Sequence, residues 1–170
     1  METTISENAI QYLSFNLAEE TFALDITRVR EVLEYTEITK IPKMPSYMCG
    51  VINLRGGVVP VVDMRLKLGM PEAQRTINTC IIITEVTVDG VSTVLGALAD
   101  SVKEVFDLDP GQVEPTPSIG TQVRADFLSG MGKHDSEFIL LLDIDKSFSS
   151  AELATIRETG AEIDLSPSEG

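Results

Sequence analysis

Few residues in this chain have the types and spacing that chemistry requires. The single histidine, His134, sits in the polar run Lys133-His134-Asp135-Ser136. A turn histidine with no orienting partner is a poor general base, so it is expected to face solvent. Asp143 and Asp145 alternate at the end of the apolar run Phe138 to Ile144. Such a strand-end pair could hold Mg²⁺ or Ca²⁺, but no third acidic ligand is spaced beside it, and a solvated strand end is the simpler expectation. Gly130-Met131-Gly132-Lys133 has the outline of a phosphate loop without its upstream glycine or its following Ser or Thr. Cys49 and Cys80 lie in apolar runs with no Cys-x-x-Cys spacing, and are expected to pack as small hydrophobes. No Gly-x-Ser-x-Gly elbow occurs. With no nucleophile beside a base, the residues point to binding rather than catalysis.

The residue that most invites a binding role is Arg55. It stands in Gly50-Val51-Ile52-Asn53-Leu54-Arg55-Gly56-Gly57-Val58-Val59-Pro60-Val61-Val62-Asp63, two apolar arms around a tight turn. Asn-Gly or Asp-Gly suffices for such a turn. An arginine adds a planar, permanently charged fork suited to carboxylates. Gly50 and Gly96, inside apolar runs, suggest places where another backbone approaches closely, whereas Gly56 and Gly57 serve the turn equally well.

These residues must be positioned by strands. Hydrophobic residues make up 43% of 170, chiefly Val, Ile and Leu in short runs, with no Trp, a composition that favours strands. Strands are expected at Ile10–Leu17, Thr21–Leu24, on both arms of the Arg55 turn, at Thr79–Val88, Val91–Ala99 and Ser101–Leu108, then at Phe127–Met131 and Phe138–Ile144. Asp89-Gly90 is the strongest hairpin signal. Pro60 suggests an edge or a bulge in the second arm, and Val102 and Val105 are expected inside. Ile26, Val29 and Leu33 recur at helical spacing behind Asp25, which predicts a short helix over 25–33. Asp63 reads as the cap of a single helical turn from Met64, and Ser149-x-x-Glu152 as the capping box of a helix over 149–160. Many short strands with few helices argue an all-β barrel architecture rather than a doubly wound sheet. Residues 1–9 read as a flexible arm, 10–157 as the domain, and 158–170 as an acidic frayed tail.

The net charge of −14 disfavours nucleic acid and anionic membranes as partners. No apolar run approaches the ~20 residues that span a bilayer, and the polar start is not a signal peptide. A cytoplasmic protein without cofactor or metal is expected.

The Gly50–Gly56 run, with Pro60-Val61-Val62-Asp63 and Arg65, resembles the central signature of the CheW family of chemotaxis adaptors. Val29-Arg30-Glu31, Pro115-Thr116-Pro117 and Phe127-Leu128-Ser129-Gly130-Met131-Gly132 extend the resemblance over Ile10 to Ile156. It implies two five-stranded SH3-like barrels on a shared core, and a non-enzymatic adaptor linking chemoreceptors to the regulatory domain of the histidine kinase CheA. The receptor tip would enter a groove walled by Val29, Gly50, Arg55, Gly56, Thr79, Cys80, Gly96 and Val102, with Glu31 holding Arg55. Kinase contacts would use Ile26 and, closing a ring, Glu114 and Ile119. Glu114 stands where a basic residue is expected in other members, and Asp100-Ser101-Val102 where Asp-Gly-Val is common. Two alternatives remain open: a regulatory module for another two-component kinase or receptor, and a metal-binding enzyme built on Asp143 and Asp145.

Overall fold

The computed structural model describes residues 9–72, 74–115 and 125–162. The strands are β1 (Ile10–Leu17), β2 (Glu20–Asp25), β3 (Val29–Glu34), β4 (Met48–Leu54), β5 (Gly57–Asp63), β6 (Cys80–Val88), β7 (Val91–Ala99), β8 (Ser101–Leu108), β9 (Leu128–His134) and β10 (Glu137–Leu142). Helix α1 is the single turn Met64–Lys67, and α2 spans Ser150–Glu162.

The strands form two five-stranded sheets, in the orders β8-β1-β2-β10-β9 and β3-β6-β7-β5-β4. Each contains one parallel pair, β2 with β10 and β5 with β7, amid antiparallel neighbours. Each curls until its end strands approach. Thr39, beyond β3, bridges Val51 of β4, with N–H to O distances of 2.8 and 2.9 Å; Glu114, beyond β8, bridges Met131 of β9, with both at 2.8 Å. The result is two barrels of the same topology. The second occupies one contiguous stretch of chain, and the first is assembled from segments on either side of it.

Three apolar clusters explain why the central strands read as continuous hydrophobic runs: both of their faces are buried. Ile81 and Ile83 of β6 fill the second barrel with Ile52 and Val61, while Cys80, Ile82 and Val86 turn to the core shared by both barrels. Likewise Ile139 and Leu141 of β10 fill the first barrel with Tyr12 and Phe106, while Leu140 and Leu142 join the shared core.

Local chemistry sets the turns as expected. Asp89 and Gly90 both have positive φ, +52° and +77°, as a type I′ hairpin requires. Asp63 Oδ1 accepts the Arg65 N–H at 2.9 Å. Ser149 and Glu152 exchange capping-box bonds of 3.0 and 2.8 Å.

The expected helix over 25–33 is replaced by a three-residue 3₁₀ turn, Ile26–Arg28, followed by strand β3. Asp25 does cap it, accepting the Thr27 N–H at 2.9 Å. A bulge between Val29 and Glu31 then switches faces, so that Val29 packs on the shared core and Leu33 on the second barrel's interior. In β8, Phe106 and Leu108 face the first barrel's interior, paired with Tyr12 and Ile10, while Val105, expected inside, is exposed. Pro60 is not on an edge strand: β5 lies between β4 and β7, but its pairing with β7 begins only at Val61. The phosphate-loop outline at Gly130 is strand β9. The outer arm, the tail beyond Glu162 and Ile119 lie outside the described residues.

Candidate functional site

Arg55 and Gly56 form the tip between β4 and β5, with φ of +51° and +84°. The turn is closed on itself by Asn53 Oδ1, which accepts the Gly56 N–H at 3.1 Å. From this tip the guanidinium reaches back to β3. Its Nη1 and Nη2 donate to Glu31 Oε2 and Oε1 at 2.6 and 2.8 Å, a two-pronged pair across the opening between the end strands of the second barrel. Bonding to Arg55 holds the Glu31 carboxyl below its ordinary 4.5. The Arg55 side chain remains 71% exposed and Glu31 28%, so the pair orients a cation that still faces solvent.

The remaining predicted groove residues divide into separate settings. Gly50 has φ +143°, and a Cβ there would lie 2.8 Å from the Thr39 carbonyl carbon and 2.9 Å from Ile38 Cγ2, besides striking the Thr39 carbonyl oxygen. Its close approach is therefore to the chain's own bridge. Gly96 faces the second barrel's interior, where a Cβ would meet Ile81 Cγ2 at 2.7 Å. Cys80 is buried in the shared core, with Val29 and Val102 packed against it. Thr79 is buried at the start of β6, its hydroxyl accepting the Thr76 N–H at 2.9 Å. Ile26 packs partly buried on the shared core, and Glu114 is exposed on the bridge to Met131.

The catalytic and metal candidates are otherwise engaged. Asp143 Oδ1 accepts the Lys146 N–H at 3.2 Å. Asp145 pairs with Arg28 and accepts the Thr87 N–H at 2.8 Å, which ties the first barrel to the second. His134 does not simply face solvent: its ring stacks on Phe106 at 4.5 Å, with Glu104 at 3.6 Å and Asp135 at 3.4 Å from Nε2. This trio is the candidate metal-ligand grouping found among the described residues, and it excludes Asp143 and Asp145. Neither thiol is activated: burial pushes Cys49 up to about 12 and raises Cys80.

Three features went unread in the sequence. Arg65 pairs with Asp100, whose Oδ2 accepts the Ala18 N–H at 2.7 Å, a second tie across the barrels. Lys67 is only 8% exposed. Its Nζ lies 5.1–5.5 Å from the rings of Tyr47, Phe127 and Phe148, and 3.3 Å from Glu152 of α2. Arg75 lies 4.1 Å over the Tyr35 ring. All three join residues far apart in sequence, which no spacing rule detects.

A family model described as a CheW-like domain matches residues 11–152. The chain belongs to the CheW family. It is 32% identical over 146 residues to chemotaxis protein CheW of Klebsiella aerogenes, covering 86% of both chains. Chemotaxis protein CheW of Rhizobium meliloti is 34% identical over 142 residues, 84% of this chain and 89% of that one. The crystal structure of the scaffolding protein TtCheW from Thermoanaerobacter tengcongensis superposes with a TM-score of 0.74 at 34% identity, covering 84% of this chain and 94% of that one. The two barrels are thus the SH3-like pair of the CheW fold, and the protein is a non-catalytic chemotaxis coupling adaptor. The enzyme alternative on Asp143 and Asp145 is not favoured. No helix among the described residues is long and apolar enough to cross a membrane.

Proposed function

We propose that this adaptor couples the cytoplasmic tips of chemoreceptors to the regulatory domain of the histidine kinase CheA, working in the cytoplasm and recruited to membrane-associated receptor arrays. The observation that carries the reading is the Glu31–Arg55 fork. An exposed guanidinium held by two short bonds arrives at a partner already oriented, which limits the ordering entropy that binding must overcome. Its exposure favours direct contact with the receptor over a purely bracing role.

On this reading the receptor's helical hairpin lies along the Arg55 tip and the adjoining surface. Of the predicted walls, Val29, Thr79, Cys80 and Val102 act from beneath by shaping the shared core, and Gly50 and Gly96 by setting barrel geometry. Gly56 supplies the left-handed turn that aims Arg55. The surface around Ile26 takes the kinase domain, and the segment containing Glu114 and Ile119 takes the ring-closing contact. The domain that does this is residues 10–157.

The test is kinase control in a reconstituted array of receptor, kinase and adaptor. Arg55→Ala is expected to keep the fold and lose receptor-dependent control of the kinase. Full control by a folded Arg55→Ala protein would overturn the proposal.

A further inference from the structure

A cavity of about 520 Å³ opens beside β3, β4 and the start of β6. Its apolar wall includes Ile38, Ile41, Met44 and Met48. Its charges are unusual for this chain, whose 27 acidic residues outnumber 13 basic ones. Lys40, Lys43, Arg65 and Arg75 line it, against Asp63, Glu72 and Asp100. Two of these acids are already committed. Asp100 pairs with Arg65, and Asp63 caps α1 from a buried position that raises its carboxyl above the ordinary range. That leaves Lys40, Lys43 and Arg75 facing Glu72, and neither lysine has an ion-pair partner among the described residues.

Two local features shape the rim. Lys43 holds a left-handed backbone at φ +61° within Ile41-Pro42-Lys43-Met44-Pro45, a strained conformation for a non-glycine residue. Arg75 is laid over Tyr35. Thr79 and Cys49 also line the cavity, next to Cys80 and Gly50 of the predicted receptor groove.

We infer that this recess receives a Glu or Asp side chain of the receptor hairpin, its carboxylate met by Lys40 and Lys43 and its stem by Met44 and Met48. The inference rests on the receptor reading above and adds a second anchor to it. Charge complementarity selects the occupant: an acidic chain that keeps two unpaired lysines at one recess presents them to an anionic group.

The test is binding of the soluble cytoplasmic fragment of the cognate receptor to wild type, to Arg55→Ala and to the double variant Lys40→Gln, Lys43→Gln, at low and at 0.5 M salt. Both lysines are exposed, so the double variant is expected to fold, which circular dichroism checks. The double variant should bind about tenfold more weakly at low salt, with the difference vanishing at high salt as exposed charges are screened. Replacement by arginine at both positions should restore binding. If wild type does not bind the fragment, the receptor reading falls and this inference with it. If Arg55→Ala weakens binding and the double variant does not, the anchor alone is overturned. A loss that persists at high salt overturns it as well, because the lysines would then act by packing. Self-association of wild type that the double variant abolishes would assign the recess to a second copy of the chain, and would also overturn it.

Discussion

Substituting Gly50 by alanine should separate an internal role for this glycine from a role in receptor contact. The new Cβ would strike the backbone of Thr39, whose carbonyl carbon would be 2.8 Å away. Backbone cannot rotate aside as a side chain can, so the Thr39–Val51 bridge must open. Its two hydrogen bonds of 2.8 and 2.9 Å contribute about 1 kcal/mol each. Holding an alanine at φ +143° adds roughly 1–3 kcal/mol, and the lower entropy of the unfolded chain returns about 0.4–1 kcal/mol. The sum is a loss of about 3 kcal/mol. With a urea dependence of about 2 kcal/mol per molar, the unfolding midpoint falls by about 1.5 M. Gly56→Ala is the control. Its φ is +84°, but its Cβ would enter open space, so only the left-handed strain applies, about 1 kcal/mol. Equal midpoints for the two variants would refute the reasoning. So would a fully stable Gly50→Ala protein that had lost receptor binding, since the close approach would then belong to the partner.

Three further outcomes are expected. The Glu31 carboxyl, followed by NMR, should titrate below its ordinary 4.5, and in Arg55→Ala it should move back up. Its folded-state value is depressed, so the pair's contribution to stability is full above the ordinary value and fades as pH falls through the depressed one; Arg55→Ala should flatten that fade in acid denaturation. Lys67→Ala should lower stability by about 1–2 kcal/mol in urea unfolding, through a lost cation–ring cluster and the lost packing of its stem. An effect under about 0.5 kcal/mol would mean that the cage carries no load. Ile26→Glu should weaken binding of the kinase regulatory domain in calorimetry, and wild-type affinity in that variant would remove the assignment.

Much of the barrel scaffold is legible because its signals are local. Asp89-Gly90, the Asp63 cap and the Ser149–Glu152 box each need only a few neighbouring residues. The misread segment is instructive. Ile26, Val29 and Leu33 fit a helix, while in the strand Glu31 and Leu33 share a face and Val29 lies on the other across a bulge, a pattern that the charge at Glu31 hides. What makes an inward glutamate tolerable is Arg55, 24 residues away, and pairing to β6. Val105 shares the face of Val102 yet is exposed, because which stretch of that face is covered depends on distant segments and not on residue type. Only the family resemblance joins Glu31 to Arg55; no local pattern in the sequence does. The cavity at Lys40 and Lys43 has no sequence signature, since its walls come from segments scattered between Tyr35 and Asp100.

The interleaving of the two barrels also bears on how the chain comes to be folded. Residues of β3 to β7 can close the second barrel as soon as they leave the ribosome. The hairpin of β1 and β2 has no such option. Its neighbours β8 and β10 are made only after that whole barrel, so both of its edges stay unpaired while about half the protein is synthesised. An open two-stranded ribbon carrying Phe15, Leu17 and Phe22 is a site for mispairing with other nascent chains. Refolding in the test tube should therefore be most prone to aggregation before β8 and β10 dock, and slow synthesis should prolong the same exposure in the cell.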